Sequence, residues 1–491
     1  MSRRKEKGDP AASKAVPGHK TENRRAVKDG REAVLLALLS HEKDGTFSNV
    51  LVKRTLDSCS GMTASERAFI KRLLEGVIER RIWLDAQIER FTKRPVSRLH
   101  PVIRQILRMG FYQIFYMDAV PDSAACNESV RLARRHAPSG LSGFVNGVLR
   151  NAAREAAAQK AAEQKDRGGA QGQEAACAVN TYESMSVSQS MPEWLVRMWT
   201  EELGQTQTGL LLNALMEIRP VTMRLCADPS REEVRDLLDQ LRCAGVQISE
   251  GKWFPRSYYL RKTSDLRRLP GFARGLWTVQ DESSMLAVQA AGLQGFERVY
   301  DVCAAPGGKS FLAADILKTR GKKDCGHVFS FDLTEKKTDR IKEGAARLHL
   351  SNLTVKVRDA RTVPPDEEGT ADVLLCDLPC SGLGVIGKKR DIKYRASMEG
   401  ILELQSLQRQ ILSSAVKYLK KGGILIYSTC TICRKENEEN AEWISRTLGL
   451  LPEDLAPFLP AGIPGIRGNT LQLLPHIHGT DGFYISRFRK T

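Results

Sequence analysis

Apolar residues recur at helical intervals over the first third of the chain. Thr63-Ala-Ser-Glu66 has the spacing of a helix capping box, and apolar positions follow it every three or four residues from Phe69 to Val77. Val102–Met117 gives a second strong helical pattern, and Phe144–Leu149 lies in a third. Residues 31–155 are therefore predicted to form a compact helical domain without a cluster of catalytic residue types.

Short apolar runs replace this pattern in the C-terminal part of the chain, and reactive side chains follow them. Ala371–Cys376 leads into Asp377-Leu-Pro-Cys380, and Gly423–Ser428 leads into Thr429-Cys430. Nearly continuous apolar runs are typical of parallel strands that are buried on both faces. Because open α/β sheets bind ligands at the carboxyl ends of such strands, one acid and two thiols are predicted to meet there.

Three further segments predict that this α/β domain binds a cofactor. Arg298–Ser310 has the pattern of a strand, a tight glycine turn and a helix, whose backbone N–H groups can approach a ligand. His327–Asp332 is a strand that ends in an acid suited to ribose hydroxyls, and Val355–Asp359 ends in one that could meet an adenine amino group. The glycine pair has the spacing neither of dinucleotide binders nor of phosphate loops.

The middle of the chain is predicted to contain a linker and a small second domain. Residues 151–180 hold eleven alanines among glutamine, lysine, glutamate and glycine, and a flexible linker is predicted over 156–188. Residues 189–290 mix helical and strand patterns, and a small α+β RNA-binding subdomain is predicted there. Between Lys252 and Arg274, basic residues are interleaved with aromatic ones, as on RNA-contacting surfaces. A solvated basic strand pair over an aromatic core is the alternative interpretation.

Charge and composition point to a polyanionic partner. The 491 residues, enough for two to four domains, carry a formal net charge of +17 and a pI near 9.4. The first 31 residues hold ten basic residues against four acids, and residues 1–30 are predicted to be a disordered basic tail. No apolar run of about 18 residues occurs, and neither a membrane span nor a signal peptide is predicted. Eleven scattered cysteines fit a reducing compartment, so we expect a cytoplasmic monomer without a membrane partner.

Five short motifs occur in order along the second half of the chain. They are Gln280-Asp-Glu-Ser-Ser284, Asp301-Val-Cys-Ala-Ala-Pro-Gly-Gly-Lys309, Asp377-Leu-Pro-Cys-Ser-Gly-Leu-Gly384, Tyr427-Ser-Thr-Cys430 and Asp481-Gly-Phe-Tyr484. In these motifs the chain resembles the NOL1/NOP2/Sun family of RNA cytosine-C5 methyltransferases.

The helical region carries a resemblance of its own. Gly110-Phe-Tyr-Gln113 and Phe144-Val-Asn-Gly-Val-Leu-Arg150 are similar to the helical RNA-binding fold of the transcription antiterminator NusB, with a generic helical bundle as the alternative. With a NusB-like front end, residues 31–491 resemble the family members that methylate small-subunit (16S) rRNA. The resemblance implies an all-α NusB-like RNA-binding domain over 31–155 and small-subunit rRNA as the partner.

The resemblance also implies the fold and cofactor of the C-terminal part. We expect an S-adenosylmethionine-dependent methyltransferase domain with a Rossmann-like sheet over residues 291–491. Its cofactor contacts would be Cys303, Ala304, Ala305, Pro306, Gly307, Gly308, Lys309, Asp332, Asp359 and Asp377. The chain departs from the family where Ser310 replaces the common Thr and where Arg390 replaces a frequent Pro, and its alanine-rich linker is long.

Methyl transfer to C5 of cytosine requires a thiol and an acid. C5 is too weak a nucleophile to attack a methyl sulfonium unaided, and a thiolate that adds to C6 makes C5 enamine-like. Asp377 is the candidate partner of N3, where it must be protonated or share a proton in a partly desolvated site. By the resemblance Cys430 attacks and Cys380 assists product release, whereas DNA C5 methyltransferases attack with the thiol that corresponds to Cys380. Arg434 and Lys435 are candidates for helping Cys430 to ionise.

The cysteines also permit a zinc site formed by Cys376, Cys380, Cys430 and Cys433. Zinc needs four converging ligands, and Cys376 lies inside an apolar strand, so no metal is expected. Cys303 is expected to act through its backbone, and Cys433 is expected to pack in the core.

Three other functions are alternatives. An amino-group methyltransferase needs no nucleophile and usually has Asn/Asp-Pro-Pro-Tyr where this chain has Asp377-Leu-Pro-Cys380. A non-enzymatic RNA-binding assembly factor would be expected to lose the two candidate catalytic cysteines or the acid. A C5 methyltransferase that acts on another RNA is the third.

Overall fold

The structure, a computed structural model, describes residues 29–166, 181–263, 265–321 and 325–491. The predicted basic tail, residues 1–30, lies outside the described residues apart from its last two positions, and so does much of the predicted linker, residues 167–180. The described chain forms two compact units. Residues up to 75 group with 99–150, and residues 76–98 group with 151–491.

Seven helices occupy residues 30–166. They are α1 (Gly30–Asp44), α2 (Ser48–Ser58), α3 (Ala64–Glu79), α4 (Arg81–Thr92), α5 (Pro101–Tyr116), α6 (Asp122–His136) and α7 (Leu141–Asp166). The predicted capping box forms at α3, where the Glu66 carboxylate accepts from the Thr63 backbone N–H at 2.8 Å. A Cβ on Gly110 of α5 would lie 2.6 Å from Leu149 of α7, so only glycine allows this close approach.

Three helices of the second unit follow the alanine-rich stretch of the predicted linker. They are α8 (Tyr182–Ser188), α9 (Glu193–Leu203) and α10 (Gln205–Met216). Met185 of α8 is buried in one apolar cluster with Trp199 and Leu212. The last residues of the 156–188 segment therefore form a packed helix, which differs from the flexible linker predicted there.

A four-stranded antiparallel sheet follows. It contains β1 (Val221–Leu225), β2 (Gln247–Glu250), β3 (Ser257–Arg261) and β4 (Trp277–Val279), in the order β2-β3-β1-β4, with α11 (Arg231–Cys243) packed on it. Trp253 and Phe254 are buried in the same apolar cluster as the core of the larger sheet. For these two side chains the prediction of an RNA-contacting aromatic surface is wrong, because their faces are covered by protein.

The large sheet has nine strands, and five of them run parallel. Its strands are β5 (Arg298–Asp301), β6 (His327–Asp332), β7 (Leu353–Val357), β8 (Ala371–Asp377), β9 (Leu419–Thr429), β10 (Leu451–Pro452), β11 (Ile466–Arg467), β12 (Thr470–Leu473) and β13 (Phe483–Arg489). The helices in this part of the chain are α12 (Glu282–Gln289), α13 (Gly308–Gly321), α14 (Glu335–Arg347), α15 (Ile392–Arg395), α16 (Met398–Ala415), α17 (Glu438–Leu448) and α18 (Pro475–His478).

The strand order places a crevice at the centre of this sheet. The order is β11-β12-β13-β9-β8-β5-β6-β7, with β10 beside β13, and β7, β6, β5, β8 and β9 run parallel. The chain winds one way from β5 to β7 and returns to the other side of β5 at β8. Such a reversal is where doubly wound sheets bind ligands, and the predicted α/β fold is confirmed.

Both faces of the parallel strands are covered. In β8, Val373 and Leu375 belong to one buried apolar cluster, whereas Leu374 and Cys376 belong to the other. Each buried aliphatic side chain contributes roughly 1.5–3 kcal/mol to folding, so the sheet that positions the strand ends is a strongly stabilised element. Across the described ranges no helix has the length and apolar character needed to span a membrane.

Candidate active site

Asp377 lies at the end of β8, beside the end of β9. It pairs in register with Ser428, whose hydroxyl donates to one carboxylate oxygen at 3.0 Å. The ammonium of Lys309, from the first turn of α13, lies 2.7 Å from the other carboxylate oxygen. The Lys309 side chain is nearly buried, whereas Asp377 keeps 30% of its side chain exposed. The Lys309 ammonium and the Asp377 carboxylate therefore face the same accessible part of the crevice.

The two candidate catalytic thiols lie next to this pair. The sulfur atoms of Cys380 and Cys430 are 3.3 Å apart, because the loops that follow two neighbouring parallel strands end at the same edge. The hydrogen bond from Cys380 lowers the pKa of Cys430, and Lys389 and Lys309 lower it further, against burial and the charge of Asp377. The same hydrogen bond, burial and the carboxylates of Glu436 and Asp377 raise the pKa of Cys380.

The cations that act on the Cys430 thiol differ from those suggested by the sequence. Lys389, in the loop after the Pro-Cys motif, and Lys309 lower its pKa. Lys435 instead lies 3.7 Å from Glu439, and Arg434 acts on Glu438, whose pKa is raised by burial against the opposing charge of Arg434. Arg434 and Lys435 were the nearest cations in sequence, but the fold turns them toward the acids of α17.

The glycine turn after β5 is held from below by Asp332. Its carboxylate accepts from the backbone N–H of Ala305 at 3.0 Å and pairs with Lys337 at 2.9 Å. Gly307 has φ +110°, and a Cβ there would lie 2.3 Å from the Phe311 ring, so the turn requires glycine. The Asp332 side chain thus holds the glycine turn through a hydrogen bond to the backbone of the turn.

A cavity of about 190 Å³ lies beside this turn. Seven of the expected cofactor contacts line it, namely Cys303, Ala304, Ala305, Pro306, Gly308, Lys309 and Asp377. Gly307, Asp332 and Asp359 do not line it. The Asp359 carboxylate is instead paired with the guanidinium of Arg361 at 2.6 Å. Five residues that were not among the predicted cofactor contacts also line the cavity: Val279, Gln280, Asp281, Ser284 and Asp301.

The side chains around this cavity fit a cofactor that carries positive charge. Asp301 is buried, and one of its oxygens has no hydrogen-bond partner in the described structure, while Ser310 donates to the other at 2.6 Å. Burial raises the pKa of Asp301 to about 7, against the hydrogen bond from Ser310. An ammonium group could donate to the orphaned oxygen, and the charge of a sulfonium group would be attracted to the carboxylate. Ser310 supplies the hydroxyl that the more common Thr would supply.

Lys388 ties the cavity wall to the cysteine loop. Its ammonium lies 2.7 Å from Asp281 and 2.6 Å from Asp481, and although burial lowers its pKa, these two charges raise it overall. A Cβ on Gly384 would lie 1.9 Å from the carbonyl oxygen of Gly482, so the Pro-Cys-Ser-Gly-Leu-Gly loop and the Asp-Gly-Phe-Tyr motif touch backbone to backbone. This contact explains why both motifs contain glycine.

Arg390, the second departure from the family pattern, anchors the same loop. Its guanidinium lies 2.5 Å from the Glu79 carboxylate, and the hydroxyl of Tyr394 donates to the Glu79 carbonyl at 2.9 Å. The loop after Gly384 is therefore set by an ion pair and a hydrogen bond.

The remaining cysteines near the site have packing positions. Cys376 is fully buried inside β8, and Cys433 is buried in the cluster around Trp199. Burial raises the pKa of Cys303, Cys376 and Cys433. In the described part of the chain, no group of three His, Cys, Asp or Glu side chains could hold a metal ion.

Comparison with known proteins gives matches over nearly the whole chain. Residues 288–489 match the family described as 16S rRNA methyltransferase RsmB/F, and residues 28–154 match the NusB family. The probable ribosomal RNA small subunit methyltransferase B of Bacillus subtilis is 33% identical over 94% of this chain and 98% of its own length. The Yersinia enterocolitica ribosomal RNA small subunit methyltransferase B is 31% identical over 87% and 91%.

Solved structures share the fold. The crystal structure of PH0851 superposes with a TM-score of 0.73 at 23% identity, covering 94% of this chain and 98% of that one. NSun6 from Pyrococcus horikoshii superposes with a TM-score of 0.54 at 21% identity, covering 62% and 99%.

Proposed function

We propose, because the chain belongs to the family of the ribosomal RNA small subunit methyltransferase B, that it transfers a methyl group to C5 of a cytosine in 16S rRNA through a covalent cysteine adduct. The observation that carries the proposal is the meeting of two thiols, 3.3 Å apart, with the Lys309–Asp377 pair at one strand edge. An amino-group methyltransferase would have no use for the thiols, since it needs no covalent nucleophile.

Cys430 is the attacking thiol in this proposal. The thiolate is the reactive form of cysteine, and the structure favours ionisation of Cys430 over that of Cys380. Its sulfur forms a bond to C6 while the C5–C6 double bond opens, and the electron density moves onto C5 and N3.

Lys309 and Asp377 stabilise that charge at the base. The ammonium holds a proton 2.7 Å from the carboxylate, so the pair can give a proton or a hydrogen bond to N3 while Asp377 orients it. The sequence suggested that Asp377 is either protonated or shares a proton with N3. With Lys309 beside it, the pair as a whole meets that need.

Cys380 assists release of the product. S-adenosylmethionine, bound in the cavity, would supply the methyl group to C5. The C5 proton then passes to water, the C5–C6 double bond re-forms and the bond between C6 and the Cys430 sulfur breaks, while any proton given to N3 returns to the Lys309–Asp377 pair. The Cys380 thiol, whose sulfur lies 3.3 Å from that sulfur, donates a hydrogen bond to it as it leaves.

Residues of the cavity would hold the cofactor from several sides. Asp301, with its unpartnered oxygen, and Asp281 would meet its cationic groups, whereas the backbone of the glycine turn would meet its carboxylate. The NusB-like helices and the basic balance of the chain support rRNA as the substrate.

The test is to incubate the full-length protein with 16S rRNA and S-adenosylmethionine and to analyse the nucleosides by mass spectrometry. The proposal expects 5-methylcytidine at one or a few cytosines of 16S rRNA, with none in 23S rRNA treated in parallel. N4-methylcytidine, or the absence of methylation on both free rRNA and small subunits, would contradict it.

A further inference from the structure

Glu436 is a buried carboxylate close to both thiols, and the mechanism above does not use it. The residue is fully buried, and within the described residues no lysine, arginine or histidine forms an ion pair with it. Burial raises its pKa, while hydrogen bonds from Ser381, Gln408 and Thr431 oppose the shift. A buried carboxylate without a cation reduces the stability of the folded protein. Such a residue at this position therefore indicates a functional role.

The carboxylate holds the backbone on both sides of Cys380. One oxygen accepts from the backbone N–H of Ser381 at 3.0 Å and from the side-chain amide of Gln408 at 3.0 Å. The same Gln408 amide donates to the carbonyl of Pro379 at 2.8 Å. Residues before and after Cys380 are therefore fixed by one Glu436–Gln408 unit.

The other oxygen of Glu436 connects this loop with the loop that carries Cys430. It accepts from the hydroxyl of Ser381, and that hydroxyl lies 2.6 Å from the hydroxyl of Thr431, the residue after Cys430. Asn437, next in sequence, accepts from Thr429 on the other side of Cys430 at 2.5 Å. One short segment thus sets the separation of the two sulfur atoms.

The charges around the two thiols are unequal. Cys380 faces Cys430, Glu436 and Asp377, all of which disfavour its thiolate. The hydrogen bond from Cys380 and the ammonium groups of Lys389 and Lys309 favour the thiolate of Cys430, whereas burial and the charge of Asp377 disfavour it. Among the described residues, the charge of Glu436 also raises the pKa of the buried side chains of Cys433 and Tyr427.

We propose that Glu436 is a positioning residue that keeps the shared proton on Cys380 and leaves the negative charge on Cys430. Its hydrogen bonds fix the Cys380 loop against the Cys430 loop, and its charge makes a second negative charge on Cys380 unfavourable. This inference rests on the proposed function, in which the two thiols have different roles. It adds a group that, together with Lys389 and Lys309, makes the two cysteines unequal.

The test measures the pH dependence of alkylation of each thiol by iodoacetamide in the full-length protein, with peptide mass spectrometry to separate the two. In the wild type, Cys430 should react at lower pH than Cys380. Glu436→Gln keeps the shape of the side chain and removes the charge, so the midpoint for Cys380 should fall by about one pH unit, or tenfold in ionisation, while that of Cys430 changes less.

Glu436→Asp keeps the charge and should restore the wild-type order of the two midpoints. Ser381→Ala, which loses one hydrogen bond but leaves the Glu436 charge, should also keep that order. Unchanged midpoints in a folded Glu436→Gln protein would overturn the proposal, and if that variant does not fold, equal midpoints for the two thiols in Glu436→Asp would do so. Alkylation needs neither RNA nor cofactor, so the result stands apart from the methylation test.

Discussion

The hydroxyl of Ser428 donates to the carboxylate of Asp377 at 3.0 Å, across two parallel strands that are paired in register at this point. Cys380 follows Asp377 by three residues, and Cys430 follows Ser428 by two. The register of β8 against β9 therefore brings the acid and both thiols together. A slip of one residue would turn Ser428 to the other face of the sheet and separate the two sulfur atoms.

Lys309→Met should abolish most methyl transfer. The change removes the ammonium 2.7 Å from Asp377, and with it the proton or hydrogen bond for N3, so the single-turnover rate should fall by roughly 10²–10⁴-fold. Lys318→Met, an exposed change on the same helix, is the matched control and should leave the rate unchanged. A Lys309→Met rate within threefold of the wild type would remove Lys309 from the chemistry.

Asp332→Ala should weaken S-adenosylmethionine binding by roughly 1–3 kcal/mol, because the Ala305 N–H in the glycine turn loses its charged acceptor. Calorimetry with the full-length protein measures the effect. Asp359→Ala is the informative comparison, because that carboxylate is paired with Arg361 and does not line the cavity. Equal losses for the two variants would mean that Asp359 contacts the cofactor after all.

The sequence was sufficient to predict the five parallel strands of the large sheet, although β7 ends at Val357, two residues before the predicted end at Asp359. The predicted strand His327–Asp332 coincides with β6, because a short apolar run ending in an acid has few other solutions in an α/β chain. The direction in which the carboxylate near a strand end points could not be predicted from the sequence. Asp332 turns toward the backbone of Ala305, and Asp359 turns toward Arg361, since each depends on residues brought near by folding.

Long-range contacts account for the other differences. Lys309 and Lys389 reach Cys430 from a helix and a loop far away in sequence, whereas Arg434 and Lys435 are neighbours in sequence only. The alanine-rich composition predicts a domain boundary near Ser190. In the structure, however, the Ser190 hydroxyl accepts from the backbone N–H of Ile82 at 3.0 Å, and α4 belongs to the same unit as residues 151–491. A protein that started near Ser190 would therefore lack a helix of its own unit.

Asp301 should make the stability of the protein depend on pH. Burial raises its pKa from an ordinary value of 3.8 to about 7, so the folded state holds the proton more tightly than the unfolded state. Its stabilising contribution is complete below about pH 4 and is lost as the pH rises to about 7. The melting temperature of the cofactor-free wild type should therefore fall between pH 5 and pH 8 relative to that of Asp301→Asn.

The control for this pH dependence is Asp366→Asn, which changes an exposed carboxylate. It should follow the wild type across the whole range. Parallel curves for the wild type and Asp301→Asn would show that Asp301 is already ionised at pH 5, and that the buried oxygen has a partner in solution.

The division of labour between the thiols has the sharpest outcome. Cys430→Ser should be inactive and form no adduct, because a serine hydroxyl ionises far less readily than a thiol. Cys380→Ala should still attack C6 and transfer the methyl group, but the departing sulfur then lacks the donor 3.3 Å away. The protein should remain bonded to methylated RNA and migrate with it on a denaturing gel. Cys243→Ala, an exposed thiol on α11, should turn over like the wild type. A trapped complex from Cys430→Ala but not from Cys380→Ala would reverse the two roles.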